Sequence, residues 1–212
     1  ISGTPTSGNF TQLSTGREHN CAIDSSDFIH CWGYDWYGQA SNSPSGTFIQ
    51  VSAGGTHSCA IDSNDAVQCW GNDSRGQSSP PSGSFTEVSA GAGHSCAIDD
   101  GGTLHCWGWD YDGQSGSPPS GTFTQVSAGA AHSCAIDDSG TVHCWGDDTY
   151  GQSSPPSGIF VHVTTNQEYS PPWFMETVNH SCALDNAGSV HCWGSDSYGQ
   201  STPPADYLSY PF

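Results

Sequence analysis

The chain has 212 residues, of which 11% are charged and 33% hydrophobic, and it holds ten Cys, 8 Trp, 8 Tyr and 8 Phe. Its 21 acids face only two cations, Arg17 and Arg75, for a net charge of -19. That balance repels phosphate backbones and anionic membrane surfaces, so it excludes nucleic-acid binding and favours cations or basic partners; acids that simply keep the chain soluble are the competing reading.

Low hydrophobicity with high net charge ordinarily signals disorder. Here the aromatics and Cys point instead to a stapled strand-and-turn protein. The chain begins at Ile1 without a Met or signal peptide and reads as a processed or partial form, which leaves anchors at either end open. No apolar run approaches the ~20 residues of a membrane span. Residues 1–8 read as the tail of a Ser/Pro loop.

Five tandem units follow, about 9–46, 47–83, 84–121, 122–158 and 159–200. Phe10, Phe48, Phe85, Phe123 and Phe160 open them, 37 or 38 residues apart. Each unit runs from Phe through V-S-A-G, H-S-C-A-I-D and a polar turn to H-C-W-G, D-x-x-G-Q and a Ser/Pro/Gly stretch. The first has Asn20 for Ser and Phe28-Ile29 after its turn; the second has Gln68 for His. The Phe-to-Gly run alternates apolar and polar residues, and two further β-type runs follow it. The unit length fits a three- or four-stranded sheet that needs its neighbours to bury its face. The whole chain is expected to be one domain.

The turn chemistry predicts a register. Three-residue hairpin loops place an αL residue last, and Gly102, Gly140 and Gly188 stand there. Asp27 and Asp65 replace Gly, and Asp tolerates αL. Pairing Asp137 with Thr141 then sets Cys134 opposite Cys144. The same count pairs Cys21 with Cys31, Cys59 with Cys69, Cys96 with Cys106 and Cys182 with Cys192, each at a close non-hydrogen-bonded site. Each bond contributes roughly 3 kcal/mol in the chain-entropy model. Five such bonds imply an oxidising compartment and an exported protein.

The sequence V-S-A-G-x-x-H-S-C-A-I-D … V-H-C-W-G-x-D-x-x-G-Q resembles the regulator-of-chromosome-condensation (RCC1-like) repeat, across residues 9–200. The resemblance implies an all-β protein, a β-propeller of five short blades, each stapled by an intra-hairpin disulfide. The best-known members have seven blades, and some act as nucleotide exchange factors on chromatin; secreted members include an inhibitor of β-lactamases. Five short acidic repeats carry over the fold and little of the exchange function.

The Trp of each C-W-G (Trp32, Trp70, Trp107, Trp145, Trp193) recurs beside a disulfide and is assigned to packing. The inner His (His19, His57, His94, His132, His180) and the His before the second Cys (His30, His105, His143, His191) form a zinc-like inventory. Adjacent His and Cys face opposite ways on a strand, so hydrogen-bonded structural His is expected and no metal. Asp35, Asp73, Asp110, Asp148 and Asp196 suit either Ca²⁺ or their own turn, and the turn is preferred.

Two features escape the repeat. Tyr34, Trp36, Tyr37, Trp109, Tyr111, Tyr150 and Tyr198 crowd the D-x-x-G-Q turns, where they either stack on sugars or pack between blades; Trp36 and Trp109 are the candidate sugar-binding residues. Unit five carries an insertion of about eleven residues bearing Tyr169, Trp173, Phe174 and Met175, the candidate protein-contact site. N-x-S/T sequons stand at Asn9, Asn72 and Asn179. Residues 201–212 are read as a strand, with Tyr207 in the Phe position, that either closes the ring on unit one or adds to a neighbouring molecule.

No nucleophile constellation, phosphate loop or cofactor motif is present. The expected function is a non-catalytic, extracellular structural or adhesive module, with a subunit of a glycosylated filament or surface assembly as its expected form. The alternatives are a carbohydrate-binding propeller and a protein-binding inhibitor. The expected partners are protein subunits or glycans.

Overall fold

In the computed structural model, residues 8–167 and 179–203 are described. They form fifteen strands in five three-stranded antiparallel sheets, each a simple meander. The first blade holds β1 (Phe10–Thr15), β2 (His19–Asp24) and β3 (Ile29–Gly33). The second holds β4 (Phe48–Ala53), β5 (His57–Asp62) and β6 (Val67–Gly71). The third holds β7 (Phe85–Ala90), β8 (His94–Asp99) and β9 (Leu104–Gly108). The fourth holds β10 (Phe123–Ala128), β11 (His132–Asp137) and β12 (Val142–Gly146). The fifth holds β13 (Phe160–Thr165), β14 (His180–Asp185) and β15 (Val190–Gly194). No helix in the described residues is long and apolar enough to cross a membrane.

The hairpin register follows the turn chemistry. The Asp137 amide donates to Thr141 O at 3.0 Å, and the Gly140 amide to Asp137 O at 3.0 Å. The αL position is occupied by Gly102, Gly140 and Gly188 at φ 82°, 85° and 86°, and by Asp27 and Asp65 at 68° and 63°. Cys134 therefore faces Cys144, and the other four pairs repeat this register. All five disulfides are formed, with Cα atoms 4.1 Å apart. Their closeness is that of a non-hydrogen-bonded pair. A bulge follows each opening Phe, where the register slips by one residue.

The acid that opens each turn has a role the sequence reading did not assign. Asp137 Oδ1 accepts the amides of Ser139 and Thr141, both at 2.9 Å, and Oδ2 pairs with His143 Nε2 at 2.8 Å. In the second blade Gln68 Nε2 donates to Asp62 Oδ2 at 2.7 Å. This explains why Gln replaces His there: the position needs an N–H at that reach, not an imidazole. The opening Phe covers the same His edge-on, as Phe123 does His143 with ring centroids 5.6 Å apart.

The core lies between blades. Cys59, Ile61 and Val67 of the second blade pack on Phe85, Val88 and Ala90 of the third, and the equivalent positions meet at the other three junctions, with Thr165 replacing the Ala in the fifth blade. A polar node locks each junction. His57 Nε2 meets Ser95 Oγ at 2.8 Å, and the Ser95 hydroxyl donates to Gln77 O at 3.1 Å. The Trp107 indole donates to the same carbonyl at 2.9 Å, and Gln77 Oε1 accepts the Arg75 amide at 2.9 Å. Three scattered repeat signatures, H-S-C, C-W-G and G-Q, thus converge on one point. Nearer the axis, the Gly55 amide donates to Gly91 O and the Ala92 amide to Gly129 O, stitching each blade to the next.

Candidate interaction surface

These junctions join blades one to two, two to three, three to four and four to five. Among the described residues no comparable packing joins the fifth blade to the first. The inner ends of those two blades instead flank a cleft of about 470 Å³, lined by Thr15, Gly16, Arg17, Thr164, Thr165 and Gln167. The axial ladder stops at the Ala130 amide, which donates to Asn166 O at 2.9 Å. Gln167 Nε2 then reaches across to Ala90 O in the third blade, at 2.9 Å.

Two faces are consequently left uncovered by the described blades. On the first blade, Phe10 is 39% and Leu13 62% exposed, where Phe48 and Val51 of the second are 1% and 4%. On the fifth, Val190 is 51% exposed, where Val142 of the fourth is 5%. Cys182 and His180 are half-buried, while their counterparts in the other blades are fully buried. Uncovered apolar area of this kind marks an interaction surface. The two faces are not alike. One is the Phe/Leu/Trp32 half of a junction and the other is the Cys182/Leu184/Val190 half. Their apolar residues match the two halves of an internal junction, while Asn20 takes the place of the junction Ser on the first-blade face.

The inner His of the first four blades, His19, His57, His94 and His132, are structural. Their Nε2 atoms meet Ser58, Ser95, Ser133 and Ser181 at 2.7–2.8 Å. Because each Ser hydroxyl donates onward to a Gln carbonyl, the imidazole donates through Nε2–H. Burial pushes their pKa values down, to about 3 for His57 and His94 and about 4 for His19 and His132. The indoles of Trp70, Trp107, Trp145 and Trp193 are held by the Gln carbonyls.

The D-x-x-G-Q acids serve their own turns. Asp35 Oδ1 accepts the Ala40 and Ser41 amides at 2.8 and 2.9 Å, and Asp148 accepts the Ser153 amide and the Ser154 hydroxyl, both at 2.8 Å. Asp73, Asp110 and Asp196 do likewise. Among the described residues no group of three His, Cys, Asp or Glu is arranged to hold a metal.

Of the candidate sugar platforms, Trp36 is 79% exposed. Trp109 is half-buried, with the Arg75 guanidinium 4.2 Å above its ring centroid. Tyr111 and Tyr198 are exposed. Of the three sequons, Asn9 is exposed, Asn72 is half-buried and donates to Thr56 Oγ1 at 3.3 Å, and Asn179 is buried. Tyr169, Trp173, Phe174 and Met175 lie outside the described residues, as does Tyr207.

The family model for the regulator of chromosome condensation (RCC1) repeat matches residues 48–77, 85–114, 123–152 and 178–200, together more than half of the chain. The chain belongs to the RCC1 repeat family. The first blade, which carries Asn20 in place of the junction Ser, is not among the matched RCC1 repeats.

Solved RCC1-like structures share the fold. The ectodomain of the Physcomitrella patens receptor kinase CR4 is 27% identical, with a TM-score of 0.73 over 91% of this chain and 53% of that one. Human WBSCR16 is 18% identical, with a TM-score of 0.73 over 90% and 63%. Yeast RCC1 (Prp20), solved bound to Kap60, is 15% identical, with a TM-score of 0.71 over 88% and 56%. The chain thus spans between about half and two thirds of these relatives. No curated protein sequence matches it.

Proposed function

We propose that this RCC1 propeller is a non-catalytic, extracellular structural module that assembles head to tail, the fifth-blade face of one copy seating on the first-blade face of the next. The two uncovered, complementary faces carry the reading. Phe10, Leu13 and Trp32 are the half-junction that Phe48, Val51 and Trp70 make inside the chain, and Cys182, Leu184 and Val190 are the half that Cys21, Ile23 and Ile29 make. A contact between unlike faces is heterologous, so it propagates into a chain of copies unless its rotation closes. Five disulfides suit an oxidising, extracellular setting, and the CR4 relative is a receptor ectodomain. Exposed Asn9 is the sequon best placed to carry a glycan.

Sedimentation velocity over a wide concentration range tests the reading. It predicts oligomers that grow with concentration and disappear in Leu13→Glu. Monomers at every concentration would contradict it.

A second reading, glycan binding, rests on exposed Trp36 beside Asp35. A glycan array probed with the protein and with Trp36→Ala tests that reading; no binding on a broad array counts against it.

A further inference from the structure

The chain's only two cations come from different blades, yet they line one pocket. Arg17, in the turn after β1, and Arg75, in the loop after β6, both border a cavity of about 120 Å³ with Thr56, Asn72, Gly93 and Trp109. Among the described residues neither guanidinium forms an ion pair with a carboxylate, although the chain holds 21 acids. Two cations held beside one small space repel each other, and a bound anion relieves that repulsion.

The repeat pattern breaks here in a concerted way. Arg17 stands where the other blades have Gly55, Ala92, Ala130 and Gln167. Arg75 stands where they have Tyr37, Asp112, Tyr150 and Tyr198. Trp109 replaces Tyr34, Asn72, Asp147 and Ser195, and Gly93 replaces Glu18, Thr56 and Ala131. The last two changes fit together: a Cβ at Gly93 would come 3.0 Å from Trp109 Cε3. Gly93 makes room for the indole, and the indole carries the Arg75 guanidinium 4.2 Å above its centroid. Such stacking orders a guanidinium and leaves its N–H fork for another partner.

We propose that Arg17 and Arg75 form a carboxylate receptor, and that its ligand is a carboxylated sugar of the uronic acid class. The guanidinium pair takes the carboxylate, for which a planar fork is the matching donor. A cavity of about 120 Å³ is on the scale of one carboxylate with part of its ring rather than a whole oligosaccharide. Thr56 and Asn72, which line the pocket and share a 3.3 Å hydrogen bond, offer neutral groups to neighbouring sugar hydroxyls. At physiological salt the Debye length is about 8 Å, so the chain's overall negative charge does not bar a short-range contact. Leu13 does not line this pocket, whereas Arg17 borders both it and the cleft between the end blades.

With two arginines in the chain, a sample labelled with ¹⁵N-arginine gives two Nε–Hε resonances, which Arg17→Gln and Arg75→Gln assign. The probes are an oligogalacturonate, the neutral galactose oligomer, sodium chloride at matched ionic strength, and an oligo-glutamate peptide. Both resonances are expected to move together and saturate with the oligogalacturonate alone. Either Arg→Gln variant weakens the fit at least tenfold with an unchanged near-ultraviolet spectrum, and Gly93→Ala, which touches no ligand atom, also weakens it. Shifts that track ionic strength, that involve one arginine only, or that saturate with the peptide and not the sugar would overturn the proposal.

Discussion

His57 and Ser95 sit on neighbouring blades and meet at 2.8 Å, Nε2 to Oγ, with both side chains fully buried. Removing one partner strands the other. Ser95→Ala leaves the His57 Nε2–H without an acceptor and should cost about 1–3 kcal/mol. Urea unfolding measures the loss, and a variant as stable as the parent would remove the node from the account.

The inner His set a pH dependence. In the unfolded chain they take up protons near 6.5, but burial lowers the folded values of His19, His57, His94 and His132 to about 3–4. Between those limits the unfolded state binds more protons, so this stability is whole above pH 6.5 and is lost as pH falls toward 4. The urea midpoint should decline across that window. Imidazole resonances of these four His should stay neutral down to pH 5 in the folded protein.

Glu87 acts in the opposite sense. It stands where other blades have Gln12, Gln50, Gln125 and His162, and burial pushes its pKa up from 4.5 to about 7. Its contribution is intact below pH 4.5 and is lost as pH rises through 7, where the charged form must be buried. Glu87→Gln should match the parent at pH 4 and exceed it at pH 8, by at most about 3 kcal/mol. Equal thermal midpoints at pH 8 would count against this.

The turn position before the second Cys should accept Gln and reject Ala. His143→Gln keeps a donor for Asp137, as Gln68 does for Asp62, and should change stability by less than about 0.5 kcal/mol. His143→Ala should cost about 1 kcal/mol or more. Chemical denaturation of the two variants side by side distinguishes them.

What was legible in the sequence was what lies close along the chain. Gly140 at an αL turn and Cys134 ten residues before Cys144 are local facts, and they led to the hairpin register and all five disulfides. The His57–Ser95–Gln77 node was not legible, because its members belong to adjacent units and each motif reads as self-contained. Nor were the end faces. Phe10 and Leu13 are of the same residue types as their buried counterparts, and only the packing shows that none of the described blades covers them. The Arg17–Arg75 pocket was hidden for the same reason: 58 positions separate two charges that the blade arrangement brings to one cavity.

Head-to-tail assembly is the central claim, and a mixing experiment tests it most directly. Leu13→Glu blocks the first-blade face and Val190→Glu blocks the fifth-blade face. Sedimentation velocity should find each variant monomeric alone and the equimolar mixture forming one-to-one dimers that grow no further, because each variant keeps the face the other lacks. A mixture that stays monomeric while the parent oligomerises would contradict the pairing of these two faces.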